Sequence, residues 1–355
     1  MSNGGVGKMA IQKISVENFT VFENVEIGFC DGVNIFIGEN GTGKTHLLKL
    51  LYAICNCTAM YNEKENHKVL RSLIGEINYC FWGGVSDLCK LYRKRTLGEI
   101  NHMPISVETK EESYSFENSL SKDEVPILTF KGMESKKQIP AVFIPAKDML
   151  THSKGLLAMS KKYSKDMPFD KTLLDIVEKA NLWKVDYIPD IAKFIIPIIE
   201  KNIEGKIIIE GEHFYVEKVD GKLTPFSYEA EGIKKLGLLW QLLMNESITK
   251  DTVIFWDEPE ANLNPKLVPV IVDILLELAR NGVQIFIATH DYVISKYFEV
   301  KRKQEDNICF HSLYKTESSG IKCESNTNFR DLKENAINTA LDILMDEVID
   351  RNVGD

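Results

Sequence analysis

Gly38-Glu39-Asn40-Gly41-Thr42-Gly43-Lys44-Thr45 fits the pattern G-x-x-x-x-G-K-[ST] at every fixed position. Residues of these types at this spacing can hold the phosphates of a nucleotide. Glycines let successive backbone N–H groups turn inward as an anion nest, and the start of a following helix adds partial positive charge. Lys44 is placed to reach the β- and γ-phosphates, Thr45 to offer a hydroxyl to Mg²⁺, and His46 continues the run into the helix. A second glycine-rich run, Gly4-Gly5-Val6-Gly7-Lys8, has no strand before it and Met9 after its lysine, so it reads as a flexible end.

Two further segments offer groups for chemistry on a bound phosphate. The apolar run Thr252–Trp256 ends in Asp257 and Glu258. A strand that delivers two carboxylates at its C-terminal edge places them where ligands of open α/β sheets bind. Asp257 is placed to hold Mg²⁺ through its water shell, and Glu258 to orient and polarise the water that attacks the γ-phosphate. The run Val283–Ala288 ends in Thr289-His290-Asp291, one helix and one strand after Glu258. A histidine there can hydrogen-bond the γ-phosphate and sense its presence.

The elements that must carry these groups are legible as periodicities. Ile11–Glu17, Val25–Phe29 and Gly32–Gly38 read as three strands in quick succession, followed by a largely apolar helix from Thr45 to about Ala59. Pro104–Glu108, Ser113–Glu117, Ile127–Lys131 and Ala141–Ile144 read as strands. Residues 150–202 read as helical, with breaks at Pro168, Pro189 and Pro197, and Lys206–Val219 reads as a hairpin around Glu210-Gly211. From Glu229 helices and strands alternate: a helix at Ile233–Met244, a strand at Thr252–Trp256, a helix at Pro265–Asn281 and a strand at Val283–Ala288. Continuous apolar strands of this kind are covered on both faces, as in a parallel sheet between helices. The tail Leu332–Asp350 carries a broad apolar stripe that reads as a helix docked onto the core, or else as a separate partner-binding helix.

Composition bounds the rest. Apolar residues make up 44% and charged residues 27% of 355 residues, which is globular and not disordered. A net charge of −9 disfavours wholesale wrapping of nucleic acid and leaves a local basic patch possible. The apolar runs are too short to cross a membrane, and Met1–Ala10 lacks the apolar core of a signal peptide. The cytoplasm is the expected compartment, with the seven scattered cysteines as reduced, mostly buried thiols. Lys90-Leu91-Tyr92-Arg93-Lys94-Arg95 is a basic cluster with one aromatic residue, either a solvated face or a nucleic-acid contact. Lys161-Lys162 and Lys301-Arg302-Lys303 are weaker clusters of the same kind.

Phosphate loop, Asp-Glu strand and Thr-His strand, in this order, resemble the ABC-type ATPases. The opening Asn18-Phe19-Thr20-Val21-Phe22 and the stretch Asp257-Glu258-Pro259-Glu260-Ala261-Asn262-Leu263-Asn264-Pro265 resemble the soluble branch that contains SMC, RecF and OLD-family proteins. The resemblance implies an α/β P-loop NTPase fold: an ABC-type lobe with a mixed sheet and flanking helices, built from 11–60 and 225–355, with a compact α+β insertion or lid at 61–224. It implies ATP and Mg²⁺ as ligands, and a D-loop that touches a partner subunit. It places Gly232, in Glu229-Ala230-Glu231-Gly232-Ile233-Lys234-Lys235, against the nucleotide of a second copy. Ala230 stands where that family usually has serine, and Lys234 or Lys235 could add positive charge in trans. Ile144-Pro145-Ala146-Lys147-Asp148 would approach the nucleotide as the family's Q-loop does.

The short form of the architecture looks most like the ATPase components of prokaryotic anti-phage systems of the PARIS type. The expected function is an ATP-driven homodimer or higher homo-oligomer that controls a separate effector protein, such as a nuclease or toxin. The alternative is a RecF-like repair or recombination ATPase that binds DNA directly.

Overall fold

A computed structural model describes residues 10–58, 73, 75–81, 88–121, 126–131, 139–163, 169–211, 213–316 and 320–353. The glycine-rich run at 4–8 and Pro168 lie outside the described residues.

Alternating apolar positions at the start of the chain produce an antiparallel hairpin, β1 (Ile11–Phe19) and β2 (Phe22–Gly28), with Ile14, Val16, Phe22, Val25 and Ile27 buried. β3 (Val33–Gly38) is buried along its whole length and leads through the phosphate loop into α1 (Lys44–Thr58). β4 (Asn101–Thr109), β5 (Ser113–Leu120) and β6 (Pro126–Lys131) form a meander, and β7 (Ala141–Ile144) follows. A helical stretch then comprises α2 (Leu156–Lys162), α3 (Lys171–Ala180) and α4 (Ile196–Ile203). Pro197 occupies the first turn of α4, where its missing N–H costs nothing. A small antiparallel sheet of β8 (Gly205–Glu210), β9 (His213–Lys218) and β10 (Leu223–Pro225) precedes α5 (Glu231–Met244). The chain continues through β11 (Val253–Asp257), α6 (Val268–Arg280), β12 (Gln284–Ala288), α7 (Tyr292–Lys301), β13 (Ile308–Thr316), β14 (Gly320–Asn326) and α8 (Ala336–Val353).

The central sheet is mixed, in the order β14-β13-β3-β12-β11-β7, with every pair parallel except the edge hairpin β13–β14. A second sheet, β2-β1-β4-β5-β6, is antiparallel throughout. Strands from 61–224 join both sheets: β4 pairs with β1, and β7 closes the central sheet beside β11. One face of the central sheet packs against helices of 171–280; the other packs against α1, which lies between the two sheets.

The tail departs from the expected docking. α8 forms, and Ile337 in its first turn packs against the core. Beyond that turn Ile343, Leu344, Met345, Val348 and Ile349 are each 46–56% exposed. Ile343, Met345 and Ile349 lie outside the stripe shared by Ile337, Leu341, Leu344 and Val348, and beyond its first turn the stripe itself is left uncovered by the chain.

Candidate active site

The parallel register of the central sheet brings the ends of β3, β11 and β12 to one edge, with Asp257 opposite Ala288 and Ala288 opposite Phe36. The phosphate loop turns away from β3 at Gly38, whose φ is +141° and whose missing Cβ would lie 2.2 Å from the Leu313 carbonyl oxygen. Only glycine fits there. Gly43, at φ +92°, lets Phe22 and Val21 of the β1–β2 hairpin close onto the loop; a Cβ would sit 2.5 Å from the Phe22 ring. Glu39, Asn40 and Gly41 form the exposed crest, and the Thr42 hydroxyl donates to the Glu39 carbonyl at 2.8 Å.

Lys44 is buried and its ammonium donates to the carbonyl oxygens of Gly38 (2.7 Å) and Glu39 (2.9 Å). Burial lowers its pKa, and the carboxylates of Asp257, Glu258, Glu260 and Glu39 work against that shift. The Thr45 hydroxyl lies 3.1 and 3.0 Å from the two carboxylate oxygens of Asp257. Burial pushes Asp257 up to about 6 in spite of that hydrogen bond. The hydroxyl and carboxylate are hard oxygen donors, of the kind Mg²⁺ takes. The His46 ring packs against Phe81 with centroids 5.4 Å apart, and its buried Nδ1 has no hydrogen-bond partner among the described residues.

Glu258 opens a tight turn beyond β11. Its φ is +47°, its N–H donates to the Ala288 carbonyl at 2.9 Å, and its Oε1 lies 3.2 Å from Nδ1 of His290. Both side chains are partly exposed, so the pair faces open space above the sheet edge. Glu260, not singled out by the sequence reading, accepts from the Thr289 hydroxyl at 2.5 Å, while its other oxygen is buried and unpaired among the described residues. Burial raises its pKa.

The start of α5 is uncapped by any side chain, since Ala230 occupies the N-cap position. Gly232 is buried: a Cβ there would lie 2.6 Å from a Leu267 methyl and 3.2 Å from a Leu263 methyl, so a larger residue would have to displace the Leu267 side chain. The two lysines expected to add charge in trans are engaged within the chain. Lys234 pairs with Glu231 (2.7 Å) and Asp148 (3.5 Å), which ties the 144–148 segment to α5. Lys235 donates to three backbone carbonyls of the turn that Glu258 opens. In the basic cluster, Tyr92 is buried with its hydroxyl on the Asn118 carbonyl, and Arg93 pairs with Glu23 at 2.8 Å. No group of three or more candidate metal ligands, and no helix long and apolar enough to cross a membrane, occurs among the described residues.

The family model described as "AAA domain, putative AbiEii toxin, Type IV TA system" matches residues 106–295, more than half of the chain. The chain belongs to this family. A second model, described as an AAA ATPase domain, matches residues 9–181 of this AAA domain. It is similar to the DNA replication and repair protein RecF of Proteus mirabilis, at 21% identity over 207 residues, covering 53% of this chain and 57% of that one. It is also similar to RecF of Cytophaga hutchinsonii, at 47% identity over 47 residues, covering 13% of this chain and 12% of that one. The chain thus spans about half the length of the first of these relatives. Among solved structures, an SMC head bound to the C-terminal winged-helix domain of ScpA aligns with TM-score 0.53 at 13% identity, covering 90% of this chain and 98% of that one. That likeness concerns the fold. The chain thus has the mixed α/β fold of that SMC head and carries the sequence pattern of an AAA ATPase domain.

Proposed function

We propose that this AAA domain hydrolyses ATP with Mg²⁺ as a nucleotide-closed pair of copies. The observation that supports this reading is the convergence of Lys44, the Thr45–Asp257 contact and the Glu258–His290 pair on one sheet edge. Lys44 exchanges loop carbonyls for phosphate oxygens. Thr45 and Asp257 would hold Mg²⁺, which neutralises charge on the β- and γ-oxygens. Glu258 accepts hydrogen bonds from the attacking water and polarises it, and His290, beside it, contacts the γ-phosphate. Glutamine in place of Glu258 keeps the size and loses the negative charge. Glu258→Gln therefore binds ATP as wild type does and turns it over roughly 10²–10⁴-fold more slowly. A loss of less than about threefold assigns the role elsewhere.

The open start of α5 supplies the second half of each site, taken from the other copy, and a two-fold pair satisfies both ends at once. Gly232→Asp is an unsuitable test because its side chain would strike Leu267 within the same copy. Ala230→Asp separates the two effects. Ala230 is exposed at the N-cap, where aspartate stabilises the helix by about 1 kcal/mol, yet its charge opposes the partner's γ-phosphate. Light scattering on Glu258→Gln should show ATP-dependent pairing. Adding Ala230→Asp should abolish pairing while raising the melting temperature. Pairing that survives removes the trans contact.

The finer reading is a regulator of a separate effector in an anti-phage system of the PARIS type. The family description, which names a toxin–antitoxin system, supports it. Growth of cells carrying this gene with its neighbouring gene, compared with the Lys44→Ala version, tests it: an outcome independent of Lys44 removes the regulator role. The alternative reading is direct DNA binding, and its support is the similarity to RecF. That reading requires DNA binding at low salt that weakens on charge reversal of Lys94 and Arg95.

A further inference from the structure

Lys235 lies one turn into α5, on the side that faces the segment after β11. Its side chain is buried, and its ammonium meets the carbonyl oxygens of Glu258 at 3.1 Å, Pro259 at 3.0 Å and Ala261 at 2.7 Å. An ammonium carries three N–H donors, so these three acceptors use its full capacity. The turn it holds is an improbable one. Glu258 and Asn262 both adopt left-handed backbone, at φ +47° and +58°, where side chains beyond glycine are disfavoured. The carbonyls of Glu258, Pro259 and Ala261 converge on one point, and without a cation there they would repel one another. Burial lowers the pKa of Lys235 to about 8, against the pull of Glu260, Glu231 and Glu258.

The same helix is locked to the next stretch of chain. Gly232 packs so closely on Leu263 and Leu267 that a Cβ would have to push the Leu267 methyl aside. The first turn of α5 and residues 258–267 are therefore joined by two contacts, the polar one at Lys235 and the apolar one at Gly232.

We infer that Lys235 is a positioning residue for Glu258: it fixes the backbone from which the Glu258 carboxylate reaches its water, and links that backbone to the helix start. The inference rests on the hydrolysis proposed above. It also makes the start of α5 part of the active site of its own copy. A nucleotide of a second copy that docks on that helix start would be felt at Glu258 through Lys235, without any contact between the two nucleotides.

The test compares Lys235→Met, which keeps length and loses all three donors, with Lys235→Gln, which keeps two. Each is made in wild type and in Glu258→Gln, with melting temperature, ATP affinity by calorimetry and single-turnover hydrolysis as readouts. Misplacing a catalytic group by about 1 Å costs up to roughly 10²-fold, so Lys235→Met should lose about 10–100-fold in kcat at unchanged ATP affinity. Lys235→Gln should fall between it and wild type. On the Glu258→Gln background neither substitution should slow hydrolysis further, because the group they position is already disabled. A folded Lys235→Met with wild-type kcat overturns the inference, as does an equal fractional loss on the Glu258→Gln background. If Lys235→Met does not fold, Lys235→Gln carries both readouts. A wild-type protein that binds but never turns over ATP overturns the proposed hydrolysis and this inference with it. Wild-type turnover with unaffected variants overturns the inference alone.

Discussion

Two helices of this chain are rich in apolar residues, and the structure treats them in opposite ways. α1 carries Leu47, Leu48, Leu50, Leu51, Tyr52, Ala53, Ile54 and Cys55, all buried, between the central and the antiparallel sheets. α8 carries Ile343, Leu344, Met345, Val348 and Ile349, all about half exposed. Apolar content is not what separates them. α1 has a basic residue only at Lys44 and Lys49, and each has a partner: carbonyls for Lys44, Asp170 at 2.5 Å for Lys49. α8 interleaves its apolar residues with four acids. A helix can be surrounded by protein only if its charged groups can be satisfied there, and α1 meets that condition.

The difference ties the phosphate site to the core through α1, and the predictions test that tie in order of effect. Lys44→Ala removes the charge facing the β- and γ-phosphates and should abolish ATP binding by calorimetry. Affinity equal to wild type would detach the loop from nucleotide altogether. Leu51→Ala lies two turns further along α1, with no exposed surface. It should cost about 2–5 kcal/mol in denaturant melts, the range for a buried leucine that leaves a cavity.

A subtler effect is expected at Asp257, which α1 reaches through Thr45. Burial raises its folded-state pKa to about 6, above the usual carboxylate range. The folded protein therefore holds a proton there that the unfolded chain has released, and stability without nucleotide declines as pH rises from about 4 to about 6. Asp257→Asn removes that slope. Above pH 6 the variant should be more stable than wild type by about 1–3 kcal/mol, and below pH 4 the two should converge. Melting curves at both pH values check it. A variant less stable than wild type at pH 7.5 would mean that the Thr45 contact outweighs the desolvation.

How much of this was legible in the sequence follows from the range of each interaction. The phosphate loop, the ends of β11 and β12 and the edges of β7 were readable because continuous apolar runs and glycine spacing are local signals. The placement of β7 beside β11, and of β4 beside β1, was not, since pairing across many residues leaves no local pattern. The same limit applies to side chains. His46 sits inside a motif, and only the fold turns its ring toward Phe81. From the sequence, Lys235 is a candidate, with Lys234, to add positive charge in trans at a helix start. That it meets three carbonyls depends on the left-handed turn at Glu258, for which glutamate gives no sequence cue.

The smallest expected effect belongs to α8. Ile337, Leu341, Leu344 and Val348 recur at four, three and four residues and so share one face, while Asp342, Asp346 and Asp350 recur at four on the opposite side. Leu344 is 52% exposed. Replacing it with serine removes little burial within the chain, so stability should change by no more than about 0.5 kcal/mol, the range for surface sites. ATP turnover should be unchanged, because α8 lies outside the cluster formed by Lys44, Asp257, Glu258 and His290. The comparison with α1 breaks if Leu344→Ser costs as much as Leu51→Ala. Its dependence on protein concentration then decides the cause. A cost that grows with concentration means that another copy covers the Leu344 face of α8 in solution. A cost independent of concentration means that the helix packs onto its own chain, as the stripe in the sequence had suggested.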